Sequence, residues 1–526
     1  MLRGMLATLV TAVISGLRGE LVRVEVDVAP GLPVCHIVGL PDAALSEARE
    51  RVRGALRNAG FEYPLSRITV NLAPADRRKR GAAYDLAIAV GILVASGQIQ
   101  ARQPWALLGE LSLAGTVLPV PGVLPMVATL ARAGHRRIAL PAADLAEASL
   151  VDGVELVGVD GLDDAARLVA GPRGRTAGAA VRRPPLVVSA GAGVDPGPRG
   201  RTTEPGALEP ADLGDVRGQA HARWALEVAL AGGHNLLLSG PPGAGKTLLA
   251  RCIPGLLSPL DDEEAQEVAV IRSVAGLGAG TGGRARPFRS PHHTTSYAAM
   301  VGGGPALGPG LVTLAHHGIL FLDELAEFDR DVLDALRQPL EDGTVEIVRA
   351  AGSVRYPARL QLIAATNPCR CGWLGDAVRR CTCKPGDAER YAGKVSGPLL
   401  DRIDLQVRMA RVDPADLLLG PEPEASAVVG PRIARARSLA VARNGGVPNA
   451  RLPGGDLLRV SALTPPANAR LRDVAGSEGL SARSLHRILR VARTVADLRA
   501  ADAVDETDVL AALSLRQEVL ARGLAA

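Results

Sequence analysis

The sequence predicts an α/β protein of more than one domain, and three observations predict it. An apolar run, Asn235-Leu-Leu-Leu-Ser239, leads into Gly240-Pro-Pro-Gly-Ala-Gly-Lys-Thr247 and then Leu248-Leu-Ala-Arg251, which reads as strand, glycine-rich loop and helix start. Downstream, Gly318-Ile-Leu-Phe-Leu-Asp-Glu324 is a buried strand ending in two adjacent carboxylates. Before both, residues 1 to about 170 alternate strand-like and helix-like segments.

A chain of 526 residues is too long for one core. Its 47% hydrophobic and 22% charged residues describe an ordinary globular protein. The net charge of +5 permits a nucleic-acid partner without demanding one. Arginine outnumbers lysine and aromatics are only 2%, a composition that a GC-rich genome explains. Six cysteines in so long a chain do not make a secreted disulfide scaffold, and four of them crowd between Cys369 and Cys383. The apolar-leaning Met5–Ile14 lacks a small-x-small cleavage site and reads as the first strands of a domain. Asp85 interrupts the best membrane-span candidate, Ala82–Ile99, so the expectation is a cytoplasmic protein with no membrane partner.

Strands are expected at Leu21–Val28, Pro33–Val38, Ile68–Leu72 and Ile138–Leu140, and helices at Ala44–Asn58, Tyr84–Ser96 and Met126–Ala133. Residues 171–210 are rich in Gly, Pro, Arg and Ala and read as a linker. A core follows over 211–412. Residues 413–526 comprise a second Pro/Gly-rich crossing and a helical lid, in which Leu485, Ile488, Leu489, Ala492, Val495 and Ala496 share one helical face.

The glycine loop matches G-x-x-x-x-G-K-[ST], the pattern of a nucleoside-triphosphate site. Gly240, Pro241, Pro242, Gly243, Ala244 and Gly245 curl backbone N–H groups around phosphate oxygens. Lys246 reaches the β- and γ-phosphates of ATP, and the Thr247 hydroxyl holds Mg2+. Asp323 organises the magnesium and its waters, while Glu324 polarises the water that attacks the γ-phosphate. Asn367 ends another apolar strand, Leu360-Gln-Leu-Ile-Ala-Ala-Thr-Asn367; it either orients that water or makes an Asx turn before Pro368. Arg402, in Leu399-Leu-Asp-Arg-Ile-Asp404, is either an arginine finger for a neighbouring subunit or one half of a surface salt bridge.

The order Gly-Pro-Pro-Gly-Ala-Gly-Lys-Thr, Phe-Leu-Asp-Glu, Ala-Thr-Asn-Pro, Leu-Leu-Asp-Arg resembles that of an AAA+ ATPase. Arg286-Pro-Phe-Arg-Ser-Pro-His-His-Thr294, Met300-Val-Gly-Gly-Gly304 and Ser396-Gly-Pro-Leu-Leu-Asp-Arg-Ile-Asp404 narrow this to the magnesium-chelatase-like branch, the ComM/YifB family. The resemblance implies an AAA+ P-loop core with a helical lid, a homo-oligomeric ring (a hexamer), ATP between subunits, and Arg483 as the second sensor arginine. It also implies an insert in the second core helix over roughly 276–304 and a hairpin formed by Thr344–Arg349 and Ser353–Tyr356. Arg284, Arg286 and Arg289 in the insert, with Arg349 and Arg355 on the hairpin, either grip branched or single-stranded DNA or pair with carboxylates. The implied activity is ATP hydrolysis driving a DNA helicase, a branch-migration motor in recombination or transformation. The rivals are the ATPase subunit of a metal-insertion complex and an ATP-dependent protein remodeller.

The N-terminal region resembles the Lon-protease-like, ribosomal S5-type α+β domain, through Gly31-Leu-Pro33, Val38-Gly-Leu-Pro41, Asn71-Leu-Ala-Pro-Ala-Asp76, Tyr84-Asp-Leu-Ala87 and Gly115-Thr-Val-Leu-Pro-Val120. Ala83 stands nearest the nucleophile position of that family, and Pro121-Gly-Val-Leu-Pro-Met126 covers the lysine position, so no peptidase activity is expected. The charge run Asp76-Arg-Arg-Lys-Arg80 is a solvated loop or a nucleic-acid contact. Cys369-Arg-Cys371 and Cys381-Thr-Cys383, nine residues apart, suit a structural Zn2+, a redox pair or unpaired thiols.

Overall fold

The computed structural model describes residues 6–39, 43–74, 81–171, 187–189, 210–278, 283–304, 307–349, 352–477 and 479–517. The charge run 76–80, most of the linker and the hairpin tip at 350–351 lie outside them. The chain divides into two compact units: 1–200 with 263–283 and 304–309, and 201–262 with 284–303 and 310–526.

The first unit is built on a mixed eight-stranded sheet. Its strands are β1 (Leu6–Ser15), β2 (Arg18–Ala29), β3 (Val34–Val38), β4 (Arg67–Ala73), β5 (Ala106–Leu107), β6 (Arg137–Pro141), β7 (Glu155–Val159) and β8 (Val187–Ser189), in the order β8-β7-β6-β5-β1-β2-β4-β3. The apolar N-terminal run is thus the first strand of a hairpin, in register from Leu6↔Asp27 to Ser15↔Arg18. Alternation sends Val22, Val24 and Val26 inward.

Helix α1 (Ala43–Asn58) packs beside α2 (Asp85–Ala95), in which ten of eleven residues are buried. That explains the near-continuous hydrophobicity of the span-like segment: it is a core helix. Among the described residues no helix is long and apolar enough to cross a membrane. Asp85 is fully buried at its start, accepting from Arg51 Nε (2.7 Å) and Nη2 (3.2 Å). Helix α3 (Val123–Arg132) begins at Gly122, whose N–H donates to the Ser273 carbonyl (2.8 Å), while Leu124 N–H donates to the Ser273 hydroxyl (3.3 Å). Ser273 therefore satisfies two of the donors that the first turn of a helix leaves open.

The second unit holds a five-stranded, wholly parallel sheet. Its strands are β9 (Leu236–Ser239), β10 (Phe288–Arg289), β11 (Ile319–Leu322), β14 (Gln361–Thr366) and β15 (Leu405–Arg408), in the order β10-β11-β14-β9-β15. Every residue of β9, β11 and β14 is buried, as befits a parallel sheet covered on both faces. Between β11 and β14 an antiparallel hairpin, β12 (Thr344–Arg349) and β13 (Gly352–Pro357), sets Glu346 opposite Arg355. Helices α4 (Ser426–Arg443), α5 (Ala482–Leu498) and α6 (Glu506–Ser514) follow, and Ile488, Leu489, Ala492, Val495 and Ala496 of α5 join the core cluster.

The span 276–304, expected to form an insert in the second core helix, contains instead the edge strand β10, with Phe288 paired to Ile319 and Arg289 to Leu320. A residue in the sheet cannot belong to an insert in a helix that follows it. The prolines at 287 and 291 bracket a strand too short to show alternation.

Candidate nucleotide-binding site

The carboxyl ends of β9, β11 and β14 converge, and each releases the polar residues that the sequence singles out. From β9 comes the glycine loop. Gly240 N–H extends the ladder to the Thr366 carbonyl (3.2 Å), and Ala244 N–H closes a turn on Pro241 (3.2 Å). Gly243 and Gly245 take φ of 79° and 90°, a left-handed conformation that disfavours other residues. Pro242 and Gly243 face solvent while Gly240, Pro241 and Ala244 are buried. Helix Lys246–Arg251 starts immediately after.

Lys246 is 8% exposed and donates to the Gly240 (2.6 Å) and Pro241 (3.0 Å) carbonyls and to Asn367 Oδ1 (3.1 Å). Burial pushes its pKa down to about 8, opposed by the negative charges of Asp323 and Glu324. A polyphosphate offers this desolvated ammonium the counter-charge that its neutral partners lack.

The Thr247 hydroxyl donates to Asp323 Oδ2 (2.7 Å), and Asp323 Oδ1 accepts from Glu324 N–H (2.9 Å). Two hard oxygens side by side, one of them anionic, are the donor set that magnesium prefers, so Thr247 and Asp323 fit that ion. Glu324 takes φ 52°, ψ 46°, a left-handed conformation costing roughly 1–2 kcal/mol in a residue with a Cβ. This turns its carboxylate to His293, whose Nδ1 lies 3.4 Å from Oε2.

Arg402 and Arg483 do not join this group. Asn235, at the amino end of β9, donates through Nδ2 to the Arg402 carbonyl (2.7 Å) and through its backbone to Asp404 (3.0 Å). Arg402 therefore lies at the opposite end of the strand that carries the phosphate loop, about 13 Å of strand away. There Glu341 accepts from both Arg402 and Arg483, the latter at 2.7 Å. Arg402, Arg451, Arg483, Arg487 and Arg490 line one cleft, which Asp401 and Asp404 also border.

The five candidate DNA residues divide. Arg284 pairs with Asp262. Arg286 donates to the carbonyls of Ser258 (2.8 Å), Pro259 (3.3 Å) and His317 (2.8 Å). Arg289 is 8% exposed and donates to Leu314 (3.4 Å). Arg286 and Arg289 thus brace neighbouring backbone, whereas Arg284 stays on the surface in an exposed ion pair. Arg349 and Arg355 are exposed on the hairpin, with Arg355 donating to the Thr344 hydroxyl at 3.1 and 3.2 Å.

The four clustered cysteines meet. Their sulfurs all lie within 4.8 Å of one another, with Cys369 to Cys371 at 3.4 Å, Cys369 to Cys381 at 3.8 Å and Cys371 to Cys381 at 3.5 Å. Four thiolates about 2.3 Å from a tetrahedral zinc stand about 3.8 Å apart, so the set can bind zinc.

Sequence reasoning missed three contacts, one of them made by His293, which it grouped only with the basic side chains of the expected insert. His293 faces Glu324. Gln219 Nε2 bridges the Ala244 (3.0 Å) and Ala410 (2.6 Å) carbonyls, bracing the phosphate loop. Glu341 gathers two arginines. Each acts across a long separation along the chain, where no local pattern signals it.

The family described as "Magnesium chelatase, subunit ChlI" matches residues 212–417, "Subunit ChlI of Mg-chelatase" matches 24–144, and "Magnesium chelatase, subunit ChlI C-terminal" matches 423–516. The chain is 40% identical to the YifB protein of Escherichia coli over 97% of its own length and 95% of that protein. It is 39% identical to competence protein ComM of Haemophilus influenzae over 96% of each. Over 40% of the chain and 47% of the relative, it is 28% identical to Holliday junction branch migration complex subunit RuvB of Mycolicibacterium vanbaalenii. ChlI belongs to the AAA ATPases, and the parallel core with its loop agrees with that class. The chain is a magnesium chelatase ChlI-like protein and belongs to the YifB/ComM family.

Proposed function

We propose that this protein is a ring-forming ATPase that hydrolyses Mg-ATP at sites shared between subunits and uses the energy to move branched DNA. The convergence of Lys246, Thr247, Asp323, Glu324 and Asn367 at one end of the sheet carries the hydrolytic reading. The glycine loop wraps the phosphates and Lys246 neutralises them. When bound, magnesium draws charge from the β- and γ-phosphoryl oxygens. Glu324 takes a proton from the attacking water, which Asn367 orients from the carboxyl end of the neighbouring strand β14. Arg402 and Arg483, at the far ends of the strands, serve the nucleotide of the next subunit, where a guanidinium stabilises transition-state charge. The four cysteines hold a structural zinc.

The DNA reading rests on three supports: likeness to a protein named for competence, likeness to a branch-migration subunit, and the exposed arginines of the hairpin. The first unit is read as a Lon-protease-like fold without peptidase chemistry, since the methyl group of Ala83 cannot attack a carbonyl. The test is ATP-driven conversion of a synthetic four-way junction at low salt, comparing the native protein with Glu324→Gln. The reading requires conversion by the first and none by the second. Absence of conversion by an actively hydrolysing native protein overturns the DNA reading and leaves the ATPase standing.

A further inference from the structure

We infer that the four-thiolate site is a metal-dependent clamp on the phosphate loop, so that zinc occupancy sets nucleotide affinity. This goes a step beyond the structural zinc proposed above and is independent of any action on DNA.

The cysteine loop touches the phosphate loop directly. Gly372, between Cys371 and Trp373, has φ 85°, and a Cβ built there falls 2.6 Å from Pro242 Cδ and 2.9 Å from Cγ. Backbone and prolyl ring are therefore packed with no room for a methyl group. On the other side, only Pro368 separates Cys369 from Asn367, whose Oδ1 accepts from Lys246 at 3.1 Å.

A third connection runs through Trp373, over which lie the guanidinium groups of Arg379 (4.7 Å) and Arg411 (5.6 Å). Arg411 continues from Met409 and Ala410. The Met409 carbonyl packs so closely on Gly240 that a Cβ there would lie 2.4 Å from it, and the Ala410 carbonyl shares Gln219 with Ala244. The cysteine segment thus touches the loop directly at Pro242 and is linked to Lys246 through Asn367, and to Gly240 and Ala244 through residues 409–411.

Apart from these contacts the segment is held by short local turns. Residues 371–383 contain no helix or strand, and the backbone N–H groups of Gly372, Asp376, Val378 and Arg379 bond to the Cys369 carbonyl (2.9 Å), the Trp373 carbonyl (3.2 Å) and the Asp376 carboxylate (2.9 and 2.6 Å). Converging thiolates repel one another, whereas a divalent cation turns the same geometry into a cross-link. With the ion bound, the contacts on Pro242 and Asn367 are fixed before nucleotide arrives. Without it, nucleotide binding must order the segment and loses affinity accordingly.

The experiment uses the full chain, zinc analysis and titration with a fluorescent, slowly hydrolysed ATP analogue plus Mg2+. The native protein is expected to carry about one zinc. Chelator stripping, or Cys371→Ser with Cys381→Ser, removes it and weakens analogue binding tenfold or more, and zinc re-addition restores the stripped protein. Gly372→Ala keeps zinc yet weakens binding severalfold, an outcome that needs no loss of metal. Native protein without zinc, or stripped protein binding with undiminished affinity, overturns the proposal, as does Gly372→Ala with native affinity. Failure of the nucleotide reading looks different: zinc-loaded native protein binding no analogue at all.

Discussion

Arg483 donates to Glu341 across 2.7 Å, and the same carboxylate engages Arg402, so one acid holds both arginines proposed to act on a neighbour. The hydrogen bond from Arg402, and then the charges of both arginines, keep the Glu341 pKa below the usual carboxylate range. To reach a γ-phosphate, each guanidinium must exchange this partner for the incoming anion. In Glu341→Gln the exchange becomes easier by about 1 kcal/mol, the worth of partly exposed pairs. Half-maximal turnover is then expected at an approximately fivefold lower subunit concentration, measured by ATPase assay across a dilution series; an unchanged or higher concentration removes Glu341 from this role.

Because Arg402 and Lys246 occupy opposite ends of β9, two different defects are expected to complement. Arg402→Ala should bind nucleotide but lose turnover by about a thousandfold, as loss of an arginine finger does. Lys246→Ala should fail at binding. Mixing the two inactive proteins creates interfaces in which an intact loop meets an intact arginine, so partial ATPase activity returns. Co-assembled mixtures that stay inactive would falsify the shared site.

The arginines of the hairpin and those near the sheet edge should behave differently. Arg349→Ala with Arg355→Ala is expected to weaken single-stranded DNA binding and to lower the salt slope, d log K/d log[salt], by about 1.4, two phosphate contacts' worth. Arg286→Ala instead strips three carbonyls of a donor and should lower stability by roughly 1–3 kcal/mol without altering that slope. Fluorescence anisotropy at several salt concentrations, with thermal melts alongside, separates the two classes.

Asp85 gives the first unit a pH dependence of calculable sign. Burial raises its pKa to about 6, although Arg51 opposes the shift, whereas an unfolded aspartate titrates near 3.9. The folded state therefore binds the proton more tightly than the unfolded one. Its stabilising effect is complete below about pH 4 and is lost as pH rises through about 6, an effect of roughly 2–3 kcal/mol. Asp85→Asn should flatten that dependence in denaturant melts between pH 4.5 and 7; a slope as steep as in the native protein contradicts the assignment.

The nucleotide end of the second unit was legible because each functional group ends a fully buried strand. Asp323 directly follows an apolar run, Gly240 and Asn367 each follow one with a single hydroxyl residue (Ser239, Thr366) between, and in a parallel sheet such runs end on the same side. Arg402 and Arg483 were legible as residues but not as locations, since strand order decides which sheet end they occupy. Arg286 and Arg289 looked like a basic surface patch because β10 is two residues long and leaves no period to detect. Glu341 meets Arg402 across 61 residues and Arg483 across 142, so nothing local marks it.

Strand β9 has β14 on one side and β15 on the other, and all of its residues are buried. The phosphate loop is therefore mounted on the least yielding part of the sheet. In the motor proposed above, a nucleotide changing from triphosphate to diphosphate therefore does not work by displacing that mount. The proposed stroke falls to parts with a free side, such as the β12–β13 hairpin with its exposed Arg349 and Arg355, and β9 is the stator against which they push.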